Sequence, residues 1–515
     1  MNLQQMGSDL KARWQANPDS FPNIGIFVVA YNAANRLTDT LERIPDDIYE
    51  LISEVFVYDD ASADDTYALA EKYVVDSRWA HKLRIYANPV NLGYGGNQKV
   101  GFNYAIEKKL DCVVLLHGDG QYAPEYLPAI LHPFVFDDQQ VVFGSRMFDK
   151  RSALRGGMPM YKWVGNQILT TIQNFVLGMK LTEFHSGYRL YSTDVLKRVN
   201  FESNSNGFDF DSQIIIQCRA LGAEIHEVPI PTYYGDELCH VDGVKYAFEV
   251  LQATFLYRLH QLHIVRSPVY IVDADRNYSR KRSAYGSHEQ ILSLVPVGNY
   301  QVLDVGSGSG LLAADLVEKG AVVTAVDIEF DAQTRRKDVS YIEIDLDTPN
   351  QPDFGRRYDY VIAADLIEHL RHADPFVRNL HRSLKSDGKL ILSTPNIAIW
   401  FYRLSLLIGR FNYGDKGTLD RTHVHLYTLD TIRFLLEKNG FFIEEVHTTS
   451  LPFEVVFESV RQSLPIRMLD STYYALTRIW KRMFAYQFVL VASITRYEAA
   501  GKNEGILVSP DKYSN

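Results

Sequence analysis

The sequence predicts an α/β protein made of two mostly parallel sheets in tandem. Short apolar runs of strand length alternate with amphipathic helical patterns from Phe21 to about residue 262. The alternation stops in the polar, aperiodic stretch "RSPVYIVDADRNYSRKRSAYGSH" and restarts at Gln301. The chain has 515 residues, more than a single core normally organises. The expected organisation is an N-terminal tail at 1–20, a first domain at 21–265, a linker at 266–286, a second domain at 287–500 and a C-terminal tail at 501–515.

In the first domain "IGIFVVAYN" is a strand, and "NRLTDTLERI" is a helix with Leu37, Leu41 and Ile44 on one face. "EVFVYDD" is the next strand, and "DDTYALAEKYV" a helix entered through acidic capping residues. "KLRIYAN", a helix over 97–109 and the strand "CVVLL" continue the series. After "VVFGSR" the pattern weakens into helices near 161–177 and 208–221 and a strand at "AEIHEVPI". A helix from about Val241 to Leu262 carries Val244, Phe248, Leu251, Phe255, Leu259 and Leu262 along one face. In the second domain the strands are "QVLDV", "AVVTAVD", "SYIEID", "YDYVIAA" and "GKLILST", with helices over 311–319 and near 375–384.

Composition narrows the function. The chain is 46% hydrophobic and 23% charged, as a soluble globular protein is. A net charge of -10 argues against a nucleic-acid binder, which would show a basic face. Cys112, Cys218 and Cys239 match no zinc spacing or disulfide framework, so a cytoplasmic setting is expected. The first twenty residues lack the apolar core of a signal peptide, and no stretch has the ~18 uninterrupted apolar residues of a membrane span. Peripheral contact with a membrane remains an expectation. "NIAIWFYRLSLLIGRF" and "SLPIRMLDSTYYALTRIWKRMFAY" mix aromatic, aliphatic and basic residues as interfacial helices do, and would equally suit a buried pair over a substrate pocket.

In the second domain, "VLDVGSGSG" places Gly306, Gly308 and Gly310 between a strand and a helix, where backbone must approach a ligand closely. Asp327 ends the next strand, 21 residues after Gly306, at the offset where a carboxylate meets a ribose diol. The spacing is G-x-G-x-G, not G-x-G-x-x-G, and Asp304 precedes it. "VLDVGSGSG", "VTAVDIE", "YDYVIAADLIEHL" and "LKSDGKLILSTPN" resemble, in order, the motifs of class I S-adenosylmethionine-dependent methyltransferases. "RTHVHLYT", "GFFIEEVH" and "YQFVLVASIT" resemble the rest of that fold. The resemblance implies that Asp304, Gly306, Gly308 and Gly310 surround the methionine portion of S-adenosyl-L-methionine. It places Asp327 at the ribose, Asp345 at the adenine and 365–369 on the pocket floor. The N/D-P-P-Y/F motif for amino acceptors is absent, "STPN" standing on another strand, which favours a hydroxyl acceptor. His369, His423 and His425 are the candidates for a base near neutral pKa.

The first domain puts polar residues at four strand ends: "VVAYN", "VYDDASADDT", "NPVNLGYGGNQKVG" and "LLHGDGQ". Ligands of open parallel sheets bind at the carboxyl ends of strands. Acidic tips facing a pyrophosphate need a hard divalent cation between them. "YDDASADDT", "NLGYGGNQKVGF", "HGDGQYAPE", "VFGSR" and "SGYRLY" resemble the motifs of family 2 glycosyltransferases of the GT-A fold, especially the dolichyl-phosphate mannose synthase-like branch. The resemblance implies a nucleotide-sugar donor, with Tyr31, Asp59, Asp60 and Asn91 at the nucleoside. Asp119 and Gln121 would hold Mg2+ or Mn2+ and the diphosphate. His117 stands where the family has its first metal-motif aspartate, which leaves one carboxylate.

The acceptor is expected to be a polyprenyl phosphate or a glycan. The first is already ionised and needs arginines, with Arg146 and then Arg151 or Arg155 as candidates. The second needs a carboxylate to take the proton, for which Asp209 and Asp211 are candidates. Together the resemblances imply two Rossmann-like domains in tandem, a GT-A nucleotide-sugar domain and a seven-stranded class I methyltransferase fold. The expected function is an inverting sugar transfer and a methylation in one glycan or glycolipid pathway. Two rivals are a glycosyltransferase whose second domain only docks, and a non-catalytic sugar-nucleotide-binding scaffold.

Overall fold

The computed structural model describes residues 2–233, 242–262, 264–273, 285–330, 335–355, 357–414, 417–457 and 463–494. Contacts divide the chain into two compact units, Met1–Ser279 with Val456–Val460, and Arg280–Val455 with Arg461–Asn515. Each unit is built on one seven-stranded sheet.

The strands of the first unit are β1 (Ile24–Ala30), β2 (Ile52–Asp59), β3 (Leu83–Ala87), β4 (Cys112–His117), β5 (Val141–Ser145), β6 (Arg189–Ser192) and β7 (His226–Pro229), in the order β3-β2-β1-β4-β6-β5-β7. β1 lies between β2 and β4 and is parallel to both. β6 runs antiparallel to β4 and β5. β6 lies in "SGYRLY", noted above as a motif, and its Arg189 is fully buried.

β1 and β4 are apolar throughout because both sheet faces are covered. Ile24, Ile26, Val28, Val114 and Leu116 enter one core layer, and Phe27, Val113 and Leu115 the other. Phe27 stacks on Phe56 with ring centroids 5.2 Å apart. The helix Tyr94–Glu107 crosses this layer so closely that a Cβ on Gly101 would overlap the Phe27 ring.

Three expectations are corrected. Residues 1–20 are not a loose tail: Leu3–Ala16 is a helix capped by Asn2, and Leu10 is fully buried in the first core. Residues 267–273 of the expected linker fold onto the first unit, where Tyr270 donates from its hydroxyl to the Ala253 carbonyl at 2.7 Å and Asp273 N donates to the Arg198 carbonyl at 2.9 Å. The helix Gly243–Gln261 buries Val250, Ala253, Thr254, Tyr257 and Arg258, whereas Val244, Phe248 and Phe255 face outward. Its buried stripe has helical spacing but includes a threonine and an arginine, so apolarity alone selects the wrong face.

The second unit contains β8 (Gln301–Val305), β9 (Val322–Asp327), β10 (Val339–Glu343), β11 (Tyr358–Ala364), β12 (Leu384–Pro395), β13 (Phe441–Thr448) and β14 (Gln487–Ile494), ordered β10-β9-β8-β11-β12-β14-β13. β14 alone runs antiparallel, to both β12 and β13. The fold class is therefore as the sequence predicts: two α/β sheets in tandem.

The helices Trp400–Leu407 and Leu464–Ile479 are not a buried pair. Leu404, Leu406 and Leu407 are exposed on the first, and Leu464, Met468, Leu476 and Ile479 on the second. Among the described residues no helix is long and apolar enough to cross a membrane. Cys112 and Cys218 are buried free thiols; Cys239, 274–284 and the expected tail at 501–515 lie outside the described residues.

Candidate active sites

In each sheet the strand order reverses beside the first strand, at β1/β4 and at β8/β11, which opens a crevice at the carboxyl ends. In the first unit hydrogen bonds stitch the strand tips around that crevice. Asn32 N donates to Ser62 Oγ at 2.8 Å, Ala63 N to Asn32 Oδ1 at 2.9 Å and Ala33 N to Thr66 Oγ1 at 2.8 Å. Asp59 accepts from Ser62, through both its hydroxyl and its backbone N–H. Asp60 holds the third tip: Leu92 N and Gly93 N each donate to its carboxylate at 2.9 Å, and Asn88 Nδ2 at 2.8 Å. Both aspartates are buried, whereas Tyr31 is 47% exposed at the end of β1 and Asn91 is exposed with its Oδ1 accepting from Gly93 N.

Asp119 follows β4, half-buried, with Oδ1 accepting from Gln121 N at 3.0 Å. A single carboxylate there is in keeping with the departure at His117. His117 faces inward: its Nε2 lies 3.3 Å from Tyr94 Oη, and a Cβ on Gly187 would strike it. Burial pushes the His117 pKa below its ordinary value, against the pull of Asp119 and Asp211.

The other expected residues are tied down more firmly than their types suggest. Asp211 accepts from Tyr94 Oη at 3.0 Å on one oxygen, and from Gln98 Nε2 and Arg189 Nη1, both at 3.2 Å, on the other. Its side chain is 8% exposed. Asp209 precedes the helix Phe210–Leu221 and accepts from Gln213 Nε2 at 2.9 Å.

Arg146, expected to hold an acceptor phosphate, is tied to a carboxylate of the chain itself. Its guanidinium and backbone N–H are bound to the buried carboxylate of Glu183, and Nη2 also donates to the His185 carbonyl at 3.0 Å. Arg151 and Arg155 lie on the exposed helix Lys150–Arg155 next in the chain. Asp211, Tyr94, His117, Tyr122 and Arg146 form a continuous line, with the His117 ring edge-on to Tyr122 at 5.0 Å and the Arg146 guanidinium 5.7 Å over it. Sequence reasoning missed Tyr94, Arg189 and Glu183. Arg189 stood in a quoted motif, but nothing local marked the carboxylate it would meet.

In the second unit Gly306, Gly308 and Gly310 have φ of 76°, 53° and 73°, the left-handed region that glycine enters freely. Gly308 N donates to Asp327 Oδ2 at 2.7 Å, and Ile328 N to Oδ1 at 2.7 Å. A Cβ on Gly308 or Gly310 would meet only open space, so the loop presents backbone to an open cradle that suits a nucleoside with a charged tail. Beneath it Asp304 is buried, and burial first, with Asp327 adding, pushes its pKa up to about 6. Asp345 is exposed, its Oδ1 accepting from Asp347 N.

After β11 the chain turns at Asp365, a non-glycine residue at φ 50° whose carboxylate accepts from Ser393 Oγ at 2.7 Å and Gln487 Nε2 at 3.0 Å. Glu368 is buried, with Oε2 accepting from Thr394 Oγ1 at 3.1 Å. Of the three expected histidines the structure brings two together: the His369 and His423 rings lie 4.6 Å apart, edge to face. His425 is exposed, beside Tyr427.

Residues 25–199 match the family described as "Glycosyl transferase family 2", and 277–446 match "Methyltransferase domain". An undecaprenyl-phosphate mannosyltransferase of Micrococcus luteus is 31% identical over 206 residues, covering 39% of this chain and 80% of that protein. A UDP-N-acetylglucosamine–dolichyl-phosphate N-acetylglucosaminyltransferase of Methanococcus voltae is 26% identical, covering 46% and 96%. A ubiquinone biosynthesis O-methyltransferase of Rickettsia conorii is 31% identical over 131 residues, covering 24% of this chain and 45% of that protein. This chain thus spans about half the length of that methyltransferase relative.

Proposed function

The chain belongs to glycosyl transferase family 2 and carries a methyltransferase domain behind it, and from that premise we propose a sugar transfer from a nucleotide donor to a polyprenyl phosphate. Both relatives quoted for the first domain are named for lipid-phosphate acceptors. One observation carries the choice of acceptor. Asp211, the more buried of the two carboxylates that would deprotonate a sugar hydroxyl, has both oxygens occupied by Arg189, Gln98 and Tyr94. A phosphate acceptor is already ionised and needs no base.

Tyr31, Asp59, Asp60 and Asn91 hold the nucleoside in this reading, and Asp119 and Gln121 would hold Mg2+ or Mn2+. Such a cation, when bound, stabilises the departing diphosphate. Attack opposite the leaving group inverts the anomeric centre. Asp211 is then a positioning residue, keeping Tyr94 and through it His117 in place, and of the two expected bases Asp209, bonded by Gln213 at Oδ2, is the candidate should a hydroxyl be used. Arg151 and Arg155 take the acceptor phosphate in place of Arg146.

The second domain is read as an active methyltransferase acting on a hydroxyl. Asp304, Gly306, Gly308 and Gly310 surround the methionine end of S-adenosyl-L-methionine, Asp327 holds the ribose and Asp345 the adenine. The cofactor supplies an electrophilic methyl on a sulfonium; the chain aligns the acceptor with it. In both domains the reading is of a cytoplasmic enzyme resting on a membrane. Met160, Tyr161, Val164, Ile168 and Phe175, all exposed on the helix Met160–Leu177, support that contact.

The test is incubation with radiolabelled nucleotide sugars and undecaprenyl phosphate in vesicles. Label extracted into the lipid phase and released by mild acid is the expected result. Label found only in a water-soluble glycan overturns the acceptor assignment.

A further inference from the structure

We propose that Glu368, His369 and His423 form a divalent-cation site in the second domain, separate from the cation position expected at Asp119. These three residues offer ligand atoms that all lie within 4.8 Å of one another, the one such group of three among the described residues. Two further observations point the same way. Glu368 Oε1 is buried and has no hydrogen-bond partner, although its sister oxygen is bound by Thr394. A buried carboxylate oxygen left bare is costly unless something else meets it. His423 Nδ1 lies 2.9 Å from the Thr418 carbonyl, which makes Nδ1 the protonated nitrogen and leaves Nε2 with its lone pair available.

The site is also built, not merely adjacent. Val424 N and His425 N donate to the Glu368 carbonyl at 2.9 and 3.0 Å, clamping the loop that carries His423 onto the turn that carries Glu368 and His369. Two imidazoles and one carboxylate select a borderline cation such as Zn2+, Fe2+ or Co2+ over Ca2+ or Mg2+, which prefer oxygen. Three protein ligands leave coordination positions open, as catalytic sites do. The site lies next to the cofactor loop, since a Cβ on Gly306 would press on Leu366, two residues before Glu368.

Its use follows from the reading of this domain as a hydroxyl methylase, on which this step alone rests. An acceptor hydroxyl at an open position is polarised and loses its proton to water more readily. Its oxygen pair then forms the new C–O bond as the sulfonium C–S bond breaks, and sulfur keeps the electrons of that bond. A pair of adjacent hydroxyls fills two open positions at once, so a vicinal diol is the acceptor class this site favours.

Titration of the full-length chain with Co2+, followed by its visible absorption, tests the site without any turnover. One equivalent should give a nitrogen-ligand spectrum in the wild type, in Asp119→Ala and in Asp327→Ala. Binding should weaken by more than about 100-fold, beyond an outer-shell effect, in His423→Ala and in Glu368→Gln, each checked for native circular dichroism. Unchanged affinity in both of these variants, or loss of the signal in Asp119→Ala alone, overturns the proposal. Pulsed electron paramagnetic resonance of the Asp119→Ala chain with one equivalent of Mn2+ needs no change at the site. Histidine nitrogen coupling is expected, and its absence overturns the proposal. If Asp327→Ala loses S-adenosyl-L-methionine but keeps Co2+, the two readings are separated; if wild type binds Co2+ at this site and no S-adenosyl-L-methionine, only the methylase reading falls.

Discussion

Arg189, with no exposed side-chain surface, bonds Asp211 at 3.2 Å from β6, and the pair anchors the line of side chains that leads to His117. The remaining donors of Arg189 go to the carbonyls of Phe184, Ser186 and Asp211 and to Tyr191 Oη. A buried pair so fully satisfied is most sensitive to losing one partner. Arg189→Met should destabilise the first domain by about 3–5 kcal/mol, because the buried Asp211 carboxylate loses the cation paired with it. The readout is a fall in the unfolding transition of that domain, with the transition of the second domain unmoved.

Asp119→Ala should abolish metal-dependent hydrolysis of a nucleotide-sugar donor, a loss of at least about 100-fold. Among the described residues its carboxylate is bonded by the Gln121 N–H of the same turn alone, so folding should survive. Thermal unfolding within a degree or two of wild type, with activity gone, is the expected pair of results.

Ala61 sits at φ 54°, in the left-handed region, between Asp60 and the Ser62 that caps Asp59. Left-handed backbone costs an alanine roughly 1–2 kcal/mol relative to glycine, and glycine's greater freedom when unfolded returns about 0.4–1 kcal/mol of that. Ala61→Gly is therefore expected to be neutral or slightly stabilising, and Ala61→Val to lower both the melting temperature and donor affinity. Retained donor affinity in Ala61→Val, measured by calorimetry, would show that the turn does not shape the nucleoside site.

Asp304 has a folded-state pKa raised from 3.8 to about 6 by burial. The protonated form is favoured by folding, so its contribution is fully present below the unfolded value and is lost as pH rises through about 6. On that account the second domain should gain up to about 3 kcal/mol from this group between pH 7 and pH 4. Asp365 and Glu368 are raised by burial and act in the same direction, as does Asp470, pushed up to about 6. Asp304→Asn should remove its own share of the slope and leave theirs, as read from melting curves of the second domain across that range.

Tyr161 and Ile168 lie on the exposed apolar face of the helix Met160–Leu177. Replacing both with serine should cut flotation with anionic vesicles several-fold, without changing hydrolysis of a soluble donor. Equal flotation of variant and wild type would remove this face from the membrane contact.

Much of the architecture is legible locally. Ile24–Ala30 and Cys112–His117 are apolar along their whole length because both faces are covered, and that alone marks central parallel strands. Asp59, Asp60, Asp119 and the glycines at 306, 308 and 310 are legible as strand-end residues, because ligand crevices form where such strands stop. Their roles depend on partners far along the chain. Arg146 looks available in "GSR" and is spent on Glu183, 37 residues away; Asp211 looks like a base and is closed by Arg189, Gln98 and Tyr94. The helix Gly243–Gln261 buries Arg258 and exposes Phe248, against its apolar pattern, because packing is decided by the neighbouring elements.

By itself the sequence determined most of the alternation of strands and helices and the two glycine- and aspartate-bearing crevices, through periodicity and turn chemistry, which act over a few residues. The pairing of two transferase folds was legible as a resemblance of motifs, in order along the chain. Only the tertiary structure decided which charged groups remain available and which are neutralised by burial, and it alone set His423 beside Glu368 and His369. Electrostatics and hydrogen bonding act through space, and residues 55 apart in the chain share a site only after the sheet has brought their loops together.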